Sequence, residues 1–122
     1  FVIIACSKLG RHATLGEAIQ CAKSYRSAGA DIILMQGLRS LDQLATVPQE
    51  IVDVPLIVKM CNKTARPLLS AAELQNLGYS MVYWPYPALL AATRAIWEAG
   101  RELKTLGKVT TMPDRGEHPW WY

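Results

Sequence analysis

Residues 31–47 read "DIILMQGLRSLDQLATV", and the turn inside this stretch decides the fold. The apolar run from Ile32 to Met35 is halted by Gly37, and Ser40 with Gln43 then forms a capping pair over a short helix, "SLDQLATV". A strand that is apolar at every position is one covered on both faces, as strands of parallel sheets are, and parallel strands are joined by helices. The next apolar run, "VPLIVKMCN" (54–62), repeats the signature and carries a single charge, Lys59, near its end.

The same period extends in both directions. Upstream, "FVIIACSKLG" opens as an apolar strand with a polar exit at Cys6, Ser7 and Lys8. It is followed by "TLGEAIQCAKSYRSAGA", in which Thr14 and Glu17 form a capping box and Gly29 occupies the helix-stop position. Leu15, Ala18, Ile19, Ala22 and Tyr25 recur there at helical spacing. Downstream, Ser70 and Glu73 cap "AAELQNL", Gly78 ends that helix, "YSMVYW" is a fourth strand, and Pro87 starts a long helix running through Leu106 to Gly107.

Strand then helix, repeated along the chain, predicts an α/β fold with a parallel (β/α)4 sheet. Right-handed crossovers bring every strand's C-terminal end to one rim, where parallel α/β sheets place their ligands. The candidate residues are therefore the strand ends: Cys6, Ser7, Lys8, Gln36, Lys59, Asn62, Trp84 and Tyr86.

Composition narrows the function classes. With 122 residues, 51% of them hydrophobic and 19% charged, the chain can bury one core. A net charge of +3 with Lys and Arg scattered along the chain argues against nucleic acid as a partner. No run reaches membrane-spanning length and "FVIIA" lacks a basic leader, so a membrane is not expected either. Cys6, Cys21 and Cys61 have neither zinc-ligand spacing nor the even number of a disulfide framework, which points to a reducing, cytoplasmic location.

Five stretches taken together, "FVIIA", "EAIQCAKSYRSAGADIILMQGLRS", "VPLIVKM", "RPLLSAAELQNLGYSMVYWP" and "LLAATRAIWEAGRELKTLG", resemble the isocitrate lyase and phosphoenolpyruvate mutase superfamily across residues 1–107. That resemblance implies a TIM-type (β/α)8 barrel that makes or breaks C–C or P–C bonds beside a carboxylate. Such a barrel needs about 250 residues, so the resemblance places this chain as its second half, from the fifth strand to the helix after the eighth. It also implies that the family's magnesium-binding acids, and its lid with the catalytic Lys-Cys-Gly-His stretch, belong to the first half. No metal ligand and no cofactor are expected from the residues present.

The resemblance also shows departures. Family strands similar to "IIACSKL" end Ala-Arg-Thr-Asp, with the arginine clamping a substrate carboxylate, where this chain has Ala5, Cys6, Ser7 and Lys8. A thiol cannot form the bidentate pair that a guanidinium provides. Gln36 stands where the family carries Glu, Lys59 where it carries Asn, Asn62 for Glu, and Lys63 with Thr64 for a glycine pair. The scaffold is kept while these substrate-facing positions change. The expected function is a degenerate relative that has lost magnesium-dependent lyase chemistry and serves as a ligand-binding or assembly module. The alternative is a repurposed, metal-free isomerase, cyclase or Schiff-base lyase acting on a less anionic organic substrate.

Lys59 and Cys6 are the candidate catalytic groups. An amine in an apolar mouth can form an imine with a carbonyl, or simply snorkel to solvent or hold an anion. A thiol beside Lys8 or Lys59 can act as a nucleophile, or simply fill space. Ser7, Lys8, Gln36, Asn62, Trp84 and Tyr86 are candidate substrate-binding residues, with backbone satisfaction or core packing as the plainer alternative. No catalytic role is expected of His12 or His118. Residues 108–122 read as an irregular tail in which Trp120, Trp121 and Tyr122 call for a docking contact. Four parallel strands leave two exposed edges, so a homo-oligomer or a second half-barrel chain is the expected partner, with the helix 87–106 as the associating element by resemblance.

Overall fold

The computed structural model describes residues 1–11, 14–61 and 68–110. His12, Asn62, Lys63, Thr64 and the aromatic tail with His118 lie outside the described residues. The elements run β1 (Ile4–Lys8), a 3-10 turn (Leu9–Arg11), α1 (Leu15–Ser27), β2 (Ile32–Gln36), α2 (Leu41–Glu50), β3 (Leu56–Lys59), α3 (Ala71–Leu77), β4 (Met81–Tyr83) and α4 (Pro87–Leu106). All strand pairs are parallel and the sheet order is β1-β2-β3-β4. Each strand is thus added beside the previous one with no reversal, the order of a barrel wall rather than of a doubly wound sheet.

Local chemistry fixes the helix starts. Thr14 Oγ1 accepts from the Glu17 N–H at 3.2 Å while the Glu17 carboxylate accepts from the Thr14 N–H, and Ser70 with Glu73 repeats the box. The Ser70 hydroxyl and N–H hold the Glu73 carboxyl below its usual range. Ser40 accepts from the Gln43 N–H, but the Gln43 side chain accepts from the Arg39 N–H at 2.7 Å, so this cap is closed one residue further out.

One boundary differs from the sequence reading. Helix α2 does not end at Val47 but crosses Pro48 and continues to Glu50. Proline lacks the N–H that would reach the Leu44 carbonyl. The buried Tyr79 hydroxyl donates to that carbonyl instead, at 3.0 Å. Beside it, Gly78 caps α3 at φ 106, and a Cβ there would lie 2.9 Å from the Pro48 Cβ, so glycine serves both the left-handed turn and the close approach of α3 to α2.

The core lies on one face of the sheet. Ile33, Met35, Leu56, Val58 and Met60 from the strands meet Ala18, Ile19, Ala22, Leu44, Val47 and Leu74 from α1, α2 and α3. The apolar strands predicted cover on both faces. On the other face, however, Ile4 is 51% exposed and Met81 41% exposed. Residues 1–85 and 86–122 form two compact units. In the second, α4 has Pro87 in its first turn and a left-handed Gly107 cap at φ 68; none of its residues is buried, and Leu89, Ile96, Trp97 and Leu103 are exposed.

Replacing Tyr79 by Phe removes the hydroxyl that completes α2 and leaves the Leu44 carbonyl without that donor. Chemical denaturation of Tyr79→Phe should show a loss of about 1–3 kcal/mol in unfolding free energy with an unchanged m-value. An unaltered midpoint would mean that the proline gap is satisfied in another way.

Candidate functional site

Side chains alternate between the two faces of a strand, so register assigns each candidate to a face. Ser7 pairs with Met35, Met35 with Val58, and Val58 with Val82, and all of these turn toward the helices. Ser7 is 1% exposed and its hydroxyl donates to the Ala18 carbonyl of α1 at 2.8 Å. The expectation that Ser7 lines the ligand site is corrected: its parity points it into the core, where it ties β1 to α1.

The neighbouring parity faces away from the helices. At the rim, Lys8 pairs with Gln36 and Lys59 with Tyr83; Met35 pairs with Val58, so Gln36 stands beside Lys59. The row Lys8–Gln36–Lys59–Tyr83 therefore crosses the whole sheet. With strands about 4.8 Å apart, the two lysine Cα atoms are about 10 Å from one another across Gln36. One layer below runs Cys6–Leu34–Ile57–Met81, a floor of apolar and sulfur side chains. Gly37, at φ 83, ends β2 where an added Cβ would lie 3.3 Å from the Gly10 nitrogen, so the exits of β1 and β2 are held against each other at this rim.

The electrostatics are cationic. Arg11, on the turn after β1, joins Lys8 and Lys59 in pulling the Cys6 thiol down, but burial outweighs all three and leaves the thiol above its ordinary range. Partial desolvation thus favours the thiol over the thiolate at Cys6, although the residue itself is exposed at the surface.

The structure brings together Cys6, Lys8, Gln36 and Lys59 from the sequence-predicted set. Trp84 follows directly on β4, 36% exposed, and Tyr86 precedes α4 in the second unit. Asn62 lies outside the described residues. Sequence reasoning missed Tyr83 and Arg11. Tyr83 emerges only through the β3–β4 register that pairs it with Lys59, and nothing in the sequence pattern marked Arg11, which enters through the 3-10 turn.

The sequence pattern of the phosphoenolpyruvate phosphomutase family matches residues 1–104. This chain belongs to that family. It is 32% identical over 97% of its length to a probable 2-methylisocitrate lyase of Corynebacterium glutamicum, of which it covers 39%. Among solved structures, 2,3-dimethylmalate lyase, a superfamily member, superposes with a TM-score of 0.82 at 31% identity, over 98% of this chain and 41% of that one. Phosphonopyruvate hydrolase, solved with oxalate and Mg2+, gives a TM-score of 0.79 at 26% identity, over 96% of this chain and 43% of the other. The chain thus spans about two fifths of the length of these relatives.

These findings correct the expectation of no cofactor. Phosphonopyruvate hydrolase is solved in complex with oxalate and Mg2+, and this chain covers 43% of it. The described residues do not themselves fit the ion: they contain no group of three His, Cys, Asp or Glu able to hold one, and the rim row offers ammonium, amide and phenol instead of the oxygen-rich set that Mg2+ takes.

Because burial raises the Cys6 pKa, iodoacetamide should alkylate Cys6 more slowly at pH 7 than a free thiol, with the rate climbing as pH rises past the ordinary thiol range. Lys59→Met and Lys8→Met, each removing a cation that lowers the pKa, should slow it further at fixed pH. Mass-mapped alkylation checks this, and a Cys6 rate at pH 7 above that of free cysteine would contradict the assignment.

Proposed function

We propose that this chain forms the second half of a barrel of the isocitrate lyase and phosphoenolpyruvate mutase type, with residues 1–107 as the (β/α)4 part and 108–122 as an aromatic tail. In this reading its rim binds a small organic anion and does not itself carry out C–C or P–C cleavage. The supporting observation is the rim row: Lys8 and Lys59 flank a neutral Gln36, and no carboxylate stands among them. Two ammonium groups hold a carboxylate as point charges and an amide orients it through hydrogen bonds, but an amide has no basicity with which to take a proton from a substrate.

The test is turnover with Mg2+ supplied in excess. 2-Methylisocitrate, 2,3-dimethylmalate, oxaloacetate and phosphonopyruvate should yield no product, while calorimetry should detect binding of a simple carboxylate, weakened about tenfold by Lys59→Met or Lys8→Met as a charge-assisted hydrogen bond is lost. Cleavage of any of these substrates would refute the proposed loss of chemistry.

Association belongs to the same reading. The exposed Ile4 on the sheet face away from the helices, and the unburied apolar residues of α4, favour a second copy or a second half-barrel as partner. Sedimentation at micromolar concentration should give a mass above that of one chain; a strictly monomeric species would remove this part. A cytoplasmic location completes the proposal, supported by three cysteines, Cys6, Cys21 and Cys61, whose odd number and spacing give no disulfide framework.

A further inference from the structure

The rim row is polarised along the sheet, and that polarity carries information about the ligand beyond its charge. At the β1 side stand Lys8 and, on the following turn, Arg11; in the middle are Gln36 and Lys59; at the β4 side is Tyr83. Beneath Tyr83 lies Met81 on the same face, with Ile57 next to it in the lower layer. Tyr83 and Met81 are 49% and 41% exposed, so an aromatic ring and a thioether are presented together on the β4 side of the cationic groups.

An anionic head gains a hydrogen bond from the Tyr83 hydroxyl, but a compact acid leaves the ring and thioether surface at this end of the row unused. An aromatic ring meets another ring favourably in offset or edge-to-face contact, and methionine sulfur favours ring edges. Lys59 and Tyr83 are register partners on adjacent strands, so the ammonium-bearing and the ring-bearing side chains leave the sheet side by side on one face.

We infer that the rim selects an aryl carboxylate, such as an aryl 2-oxo acid, over a compact aliphatic acid, with its anionic head toward Lys8, Gln36 and Lys59 and its ring against Tyr83 and Met81. This rests on the proposed anion-binding rim and adds the class of its ligand. Tyr83 is the specificity-determining residue, and it acts on the ring, not on the head.

The experiment compares benzoylformate with pyruvate, which share the 2-oxo acid head and differ in the ring, by calorimetric titration of the purified chain. Benzoylformate should bind about five- to tenfold more tightly, the scale of one aromatic contact. Tyr83→Leu should abolish most of that preference, Tyr83→Phe and Tyr83→Trp should keep it, and Lys59→Met should weaken both acids alike. Circular dichroism of each variant confirms folding, which the exposed position of Tyr83 favours. Equal affinity for the two acids, or a preference that survives Tyr83→Leu, overturns the ring contact yet leaves the anion-binding rim standing. Binding of neither acid overturns both.

Discussion

Everything at the rim follows from one constraint: in a parallel sheet assembled in chain order, residues in register share a face. With α1, α2 and α3 on one side, every second strand residue is committed to the core and its neighbours to the opposite face. A slip of one residue in β1 would bring Ser7 to the rim and drive Lys8 into the core, at the cost of burying an ammonium group and losing the Ser7 to Ala18 bond. The buried hydroxyl therefore serves as a register pin for Lys8, the next residue of β1, on the opposite face of the sheet.

The junction of α2 with α3 applies the same economy to the backbone. Pro48 opens a gap in the hydrogen bonding of α2, Tyr79 closes it, and Gly78 supplies both the turn and the room. These three residues keep α3 close enough to α2 for Leu74 and Leu44 to share the core, which in turn sets where β4 pairs and hence where Tyr83 emerges. Core packing and site geometry are thus one problem in this unit.

Family membership and site chemistry stand on different footings. The family match spans residues 1–104, and the superposition with 2,3-dimethylmalate lyase covers 98% of this chain. The rim row places ammonium, amide and phenol side chains on the strand ends. Packing places the strand ends, but what they do is argued from the chemistry of the side chains they carry, not from the fold.

The sequence alone determined the order of strands and helices, the capping pairs at Thr14, Ser40 and Ser70, and the glycine stops, because these depend on hydrogen bonds and dihedral preferences spanning only a few residues. It also named Cys6, Lys8, Gln36 and Lys59 as strand-end residues. It did not determine which way each pointed. Ser7 entered the candidate site and Tyr83 was passed over since parity at a strand end is fixed by pairing with a neighbour distant in the chain, through registers such as Ser7 with Met35 and Lys59 with Tyr83. The extension of α2 across Pro48 was hidden for the same reason: the donor that permits it, Tyr79, comes from 35 residues away and is brought there only by the packing of α3 on α2.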